Sequence, residues 1–201
     1  MYTKPFSQSC ENNKNPIFAI LSEHFKGLSH IVEIGSGTGQ HAEFFTNQLP
    51  HLTWQTTDQG DYFPHLEKLI VETNSSRLPP ALYLDVSQEN WPISDCECIF
   101  TSNTLHIMPW TCVEHLFKGL SSVLKVNGHF YVYGPFNYDG KFTSESNQSF
   151  DLHLKSSNPL SGIRDFEQIM ELATQAGLGL VVDHQMPANN RLLHFKKIMA
   201  E

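Results

Sequence analysis

Chemistry concentrates where the first expected strand, His30 to Ile34, breaks into glycines, at Glu33-Ile34-Gly35-Ser36-Gly37-Thr38-Gly39. Glycines at alternate positions let a strand turn sharply into a helix and let a ligand approach the backbone closely. The first turn of the following helix offers N–H groups that no helical carbonyl can satisfy. The spacing is GxGxG with an acidic residue two places ahead. A dinucleotide fingerprint needs Gly or Ala five places after its first glycine, and Gln40 stands there. Asp58 follows about twenty residues on, at the end of the next apolar run. A carboxylate in that place accepts hydrogen bonds from the ribose hydroxyls of an adenosine. A plain turn Asp before Gln59-Gly60 is the alternative.

Further along, Asn103-Thr104-Leu105-His106 follows the fourth apolar run. In open α/β sheets ligands sit beyond the carboxyl ends of the strands, where the strand order reverses. That places Asn103 and His106 beside the glycine turn. Turn Asn and helix-start His are the plain readings of the same residues. Gly134-Pro135-Phe136-Asn137 and Asn189-Asn190 reach the same rim. A nucleophilic acceptor needs alignment and in some cases a general base. The candidates are His106, Tyr133, Glu145 and Asp151, with His106 first because its ordinary pKa lies near 6.5. Arg164, next to Asp165 at a helix start, either grips a carboxylate or phosphate with its fork or pairs locally and fixes the loop.

These residues need a frame, and strands alternate with helices in the way that builds a parallel sheet covered on both faces. Strands are expected at 30–34, 52–57, 81–84, 98–102 and 129–133. Helices are expected at 17–25, 40–49, 61–73, 110–124 and 163–176, the first opened by Pro16. Two final strands, 178–186 and 192–199, join through Pro187-Ala188-Asn189-Asn190-Arg191 as an antiparallel hairpin. The stretch 134–161 reads as a long loop with aromatics, hence a substrate loop. Residues 1–25 read as a cover segment that brings Phe6, Ser7 or Glu11 over the site. The whole chain, 1–201, reads as one domain.

Composition narrows the choice. The formal charge is −8 and no block of Lys or Arg is present, so nucleic acid is not the expected partner. No apolar run reaches the roughly 18–20 residues of a membrane span, and no signal peptide is expected. Cys10, Cys96, Cys98 and Cys112 lack zinc-site spacing and read as reduced thiols of a cytoplasmic protein. No metal is expected, and a small-molecule substrate is. The oligomeric state is left open.

The acidic-GxGxG turn resembles the first motif of class I methyltransferases, which use S-adenosylmethionine (SAM), and the closing hairpin is the ending of their fold. Further stretches resemble a narrower group, the methyltransferase-like 26 group. They are Lys4-Pro5-Phe6-Ser7, Tyr133-Gly134-Pro135-Phe136, Phe142 to Asn147, Gly162-Ile163-Arg164-Asp165 and Met186 to Asn190. The resemblance runs from about Lys4 to Lys197. It implies a seven-stranded, mostly parallel Rossmann-like sheet of order 3-2-1-4-5-7-6 and a SAM-dependent methyltransferase. It implies SAM contacts at Glu33, Gly35, Ser36, Gly37, Thr38, Gly39, Asp58, Asp85 and Asn103. For Asp85, or Ser87 beside it, capping of a short helix is an equal reading. Catalysis falls to His106 and Tyr133, and substrate binding to Phe136, Arg164, Asn189 and Asn190. No Asn-Pro-Pro-Tyr tetrad and no catalytic cysteine pair is present, which argues against amine methylation of DNA and carbon methylation of cytosine. A SAM-binding scaffold without turnover is the alternative, and a nucleotide-dependent oxidoreductase is opposed by Gln40 and the hairpin.

Overall fold

The computed structural model describes residues 5–198. Largely buried runs form the central strands, rich in Ile, Val and Phe except for the Thr-rich second one. They are β1 (His30–Ile34), β2 (Thr53–Asp58), β4 (Cys96–Ser102) and β5 (Leu124–Gly134). The edge strand β3 (Leu82–Tyr83) is short. β8 (Leu178–Gln185) and β9 (Arg191–Lys197) pair antiparallel, and β9 runs antiparallel to β5. The sheet order is β3-β2-β1-β4-β5-β9-β8. It departs from the numbering expected above because two short strands fall between the fifth strand and the hairpin. These are β6 (Phe136–Asn137) and β7 (Arg164–Asp165), and they form a separate two-stranded sheet.

Helices cover both faces. On one side α1 (Gln8–Phe25), α2 (Gln40–Gln48) and α3 (Tyr62–Thr73) bury Ile17, Leu21, Phe25, Phe45 and Ile70. Phe45 stacks on Trp54 at 5.0 Å, and Phe25 and Phe100 meet the same indole edge-on. On the other side α4 (Trp110–Val123) and α6 (Phe166–Gln175) bury Val113, Leu116, Phe117, Leu120, Ile169 and Ala173.

Three expectations are corrected. The first helix begins at Gln8, not after Pro16, because Ser7 caps it by accepting from the Cys10 N–H. Pro16 therefore lies inside α1 and leaves the Asn12 carbonyl without its helical donor. The stretch 134–161 is not an open loop, since it holds β6 and a thirteen-residue helix, α5 (Glu145–Ser157), capped by Ser144 at the Asn147 N–H. The last helix starts at Phe166, since Arg164 and Asp165 stay extended to pair with Phe136 and Asn137. Met199, placed in the last strand by its apolar pattern, lies outside the described residues.

Under the C-terminal end of α1, four imidazoles gather on the sheet. His24 meets the Tyr131 hydroxyl at 2.9 Å, and His129 Nδ1 meets His194 Nε2 at 2.9 Å. His184 Nε2 and His194 Nδ1 are buried with no partner. Burial, then His129, His24, His184 and Lys196, push His194 down to about 3. The neutral form is thus the folded form, whereas the unfolded chain takes a proton near pH 6.5. Stability must fall as pH drops below about 6.5. Urea unfolding at pH 5 should show a loss of about 1–2 kcal/mol relative to pH 7 from this residue alone, and His194→Gln should flatten that part of the decline.

Candidate active site

The C-terminal ends of β1, β2 and β4 meet at one rim. Gly35, Gly37 and Gly39 all have positive φ. A Cβ on Gly35 would stand 2.5 Å from Thr104 Cγ2, and one on Gly39 would stand 2.2 Å from Leu69 Cδ2. The turn is therefore wedged between the loop after β4 and helix α3. The middle glycine, Gly37, faces open space. Ser36 ties the turn to β2: its N–H donates to the Thr57 carbonyl at 2.9 Å, and its Oγ accepts from the Thr57 N–H. Asp58 then closes the front. Its Oδ2 accepts from the Gly37 N–H at 2.6 Å and its Oδ1 from the Gln59 N–H at 2.7 Å. Burial nevertheless pushes this carboxyl up, against the lowering effect of both bonds.

Glu33 lies behind the turn, 1% exposed. Its carboxyl accepts from Trp54 Nε1 at 2.9 Å and lies 3.5 Å from His41 Nδ1. The other imidazole nitrogen, Nε2, meets Asn13 Oδ1 at 2.7 Å. Gln40, the residue that departs from the dinucleotide pattern, binds the N-terminal segment. Its Oε1 accepts from the Ser7 N–H at 2.6 Å and from the Thr38 hydroxyl at 2.8 Å. Its Nε2 donates to the Ser7 carbonyl and to Glu11 Oε1. Ser7 and Glu11 thus lie against the glycine turn, whereas Phe6 is 65% exposed. At the edge of the rim, Asp85 closes a turn on the Ser87 N–H and hydroxyl, which hold its carboxyl below the ordinary value.

Beside the turn lies a cavity of about 370 Å³, inside the size range of small-molecule sites. One wall is α1, with Asn12, Asn13 and Pro16. The floor is Asn103 and Tyr133 at the strand ends. The facing wall is α5, with Asn147 and Phe150, and Asn190 of the hairpin completes it. Asn103 has φ 58° and its N–H donates to the Tyr133 carbonyl. Burial pushes the Tyr133 hydroxyl up, although Asn190 bonds to it. Asn189 holds α5 in place, since its carbonyl accepts from Asn147 Nδ2 and its own Nδ2 donates to Ser146.

Other predicted residues stand apart from the cavity wall. His106 is 5% exposed, packs edge-on against Phe150 at 5.4 Å, and is pushed down to about 4 by burial and then by Arg164. Phe136 is in the core, 1% exposed. The Arg164 fork is occupied by the carbonyls of Leu105, Met108 and Leu160, and its guanidinium lies over Trp110. Asp151 accepts from the Ile163 N–H and Lys155. Glu145 is exposed in the first turn of α5. Among the described residues no group of three or more His, Cys, Asp or Glu is arranged to hold a metal ion. Sequence reasoning missed Asn12, Asn13, Gln40, Asn147 and Phe150. Ser144 followed by Glu145 is a helix-start signal that points to α5 and its three cavity residues, Ser146, Asn147 and Phe150.

The fold is that of SAM-dependent methyltransferases. The mitomycin 7-O-methyltransferase MmcR superposes with a TM-score of 0.81 at 16% identity, over 94% of this chain and 54% of that one. An O-methyltransferase family protein from Burkholderia thailandensis gives 0.81 at 16%, over 96% and 58%. PigF, solved with SAH, gives 0.77 at 14%, over 93% and 56%. The chain thus spans about half the length of these structures. Residues 4–197 match the family described as protein of unknown function (DUF938), and the chain belongs to it.

Gln40 carries the contact between α1 and the glycine turn. Gln40→Ala should lower stability by about 1–3 kcal/mol in urea unfolding and speed limited proteolysis ahead of Gln8. An unchanged cleavage rate would show that α1 is held by its apolar face alone.

Proposed function

We propose that this chain binds SAM and transfers its methyl group to a small-molecule acceptor. The observation that carries this reading is the Asp58 carboxyl bridging to Gly37 in front of an open glycine turn, on a methyltransferase fold. The site fits the group: a carboxylate at the end of β2 suits ribose hydroxyls, and the turn backbone leaves room for close approach. Gly35 to Gly39 and Asp58 would hold the adenosine half, with Asp85 toward the base. Asn103 would serve the amino-acid half, while Glu33, taken up by Trp54 and His41, holds the turn from behind. When bound, SAM supplies a methyl group activated by the sulfonium. The protein's part is to align the acceptor and keep water out, which the walls of α1 and α5 suit. Tyr133, Asn189 and Asn190 belong to the acceptor side, and Phe136 and Arg164 to the frame beneath it.

Kinship with the methyltransferase-like 26 group rests on the sequence stretches named earlier. PigF was solved with SAH, which supports SAM as the ligand of this fold. The four free cysteines suit a reducing, cytoplasmic setting, and no described helix is long and apolar enough to cross a membrane. A second reading, SAM binding without turnover, is favoured by His106, whose low pKa makes it a weak base at neutrality.

Calorimetry should show saturable heat with SAM and none with NADH. Asp58→Ala should weaken SAM at least tenfold, about 1.4 kcal/mol. Absent heat with SAM would end the proposal. Radiolabelled SAM incubated with a metabolite extract separates the two readings, since a labelled product requires turnover.

A further inference from the structure

The side chains around the cavity are carboxamides, hydroxyls, prolines, one alanine and the rings of Tyr133 and Phe150. Among the described residues none of the lining groups is Lys, Arg, Asp, Glu or His. This is unusual on a protein with a formal charge of −8. An ionic ligand would enter such a space without a counter-charge, and an unpaired buried charge is strongly disfavoured.

The hydrogen-bonding capacity left in the walls is specific. Asn13 and Asn147 are each 5% exposed. Asn13 gives its Oδ1 to His41, which leaves Nδ2 as a donor. Asn147 gives its Nδ2 to Thr143 and to the Asn189 carbonyl, which leaves Oδ1 as an acceptor. Of the carboxamides that line the cavity these two are the buried ones, one leaving a donor on α1 and the other an acceptor on α5, and Phe150 and Pro16 add apolar surface to the same lining. A ligand that satisfies both presents one acceptor and one donor, and flat apolar surfaces favour a ring. We propose that the acceptor is an uncharged, ring-bearing molecule with an amide-like donor–acceptor edge, read by Asn13 and Asn147. This rests on the methyltransferase reading and names the substrate class of that site.

Three isosteric probes test it. Benzamide has one acceptor and a donor group and is neutral. Benzoate offers only acceptors and is an anion. Benzamidine offers only donors and is a cation near neutral pH. The full-length ¹⁵N-labelled chain is titrated with each by NMR, with and without saturating SAH. Benzamide should shift the amides of Asn103, Ser146 and Asn190 saturably and bind at least tenfold tighter than either ion. Equal affinities, tighter binding of an ion, shifts elsewhere, or none with all three would overturn the proposal.

Asn13→Asp keeps the oxygen that His41 needs and replaces the donor with a charged acceptor. The preference should move to benzamidine by at least tenfold, and an unchanged order would also count against the assignment. Failure of the methyltransferase reading shows separately, as no calorimetric heat with SAM or SAH. SAH binding without the benzamide preference defeats this inference alone.

Discussion

A buried carboxyl on the central strand is the constraint around which the rim is organised. Glu33 is 1% exposed, and a polar group that deep must be partnered or it strongly destabilises the fold. Its partners come from two other elements: Trp54 from β2 and His41 from α2. His41 in turn reaches Asn13 on α1. One chain of contacts therefore joins two strands and two helices behind the glycine turn. It fixes where α2 starts, which sets the turn's exit. It also draws α1 across the rim, which makes α1 a wall of the cavity. The same Trp54 carries the aromatic stack of that face, so packing and polar satisfaction depend on one side chain.

Much of this frame was legible because apolar content carried it. The β1 segment His30–Ile34 was bounded as found, and the helices of the two faces showed their apolar stripes. The hairpin was legible from Pro187 and the two asparagines. What failed did so for physical reasons. The early turns of α1, Gln8 to Asn15, are nearly all polar, so the pattern showed nothing before Pro16. That part of α1 is held by a side-chain cap and by Gln40, and Gln40 lies 33 residues from Ser7. Helix α5 was hidden for a related reason. The residues it buries are Asn147, Asp151 and Leu154. Two of these three are polar and are held by hydrogen bonds to Asn189, Ile163 and Lys155, so no apolar stripe marks the helix.

The site divides along the same line. The glycine turn and Asp58 were readable, because local backbone needs select those residue types. The cavity was only half readable. Asn103, Tyr133 and Asn190 follow from the rule that strand ends form the site. Asn12, Asn13, Asn147 and Phe150 belong to helices whose placement no local pattern gave. His106 shows the limit in the other direction. It follows β4 as read from the sequence, yet burial and then Arg164 push its pKa down to about 4. Residue type and position named it, and the environment changes what it can do.

The two helical walls are held by different chemistry. The α5 side is braced deep in the structure. Arg164 engages three backbone carbonyls, and Asp151 is tied to the Ile163 N–H and Lys155, all on the same corner. Loosening it means unpairing buried groups, each at a penalty of about 1–3 kcal/mol. The first turn of α1 is held instead by the Ser7 cap on Cys10 and by the Gln40 carboxamide, which bonds to Ser7 and Glu11. The far end of α1 is anchored by Ile17, Leu21 and Phe25, all fully buried. Pro16 lies between those two parts, and its missing amide already breaks the hydrogen-bond ladder there. Asn13, on the N-terminal side of that break, is nevertheless held by His41, so the early part of α1 is fixed both at the glycine turn and to the buried Glu33 carboxyl behind it.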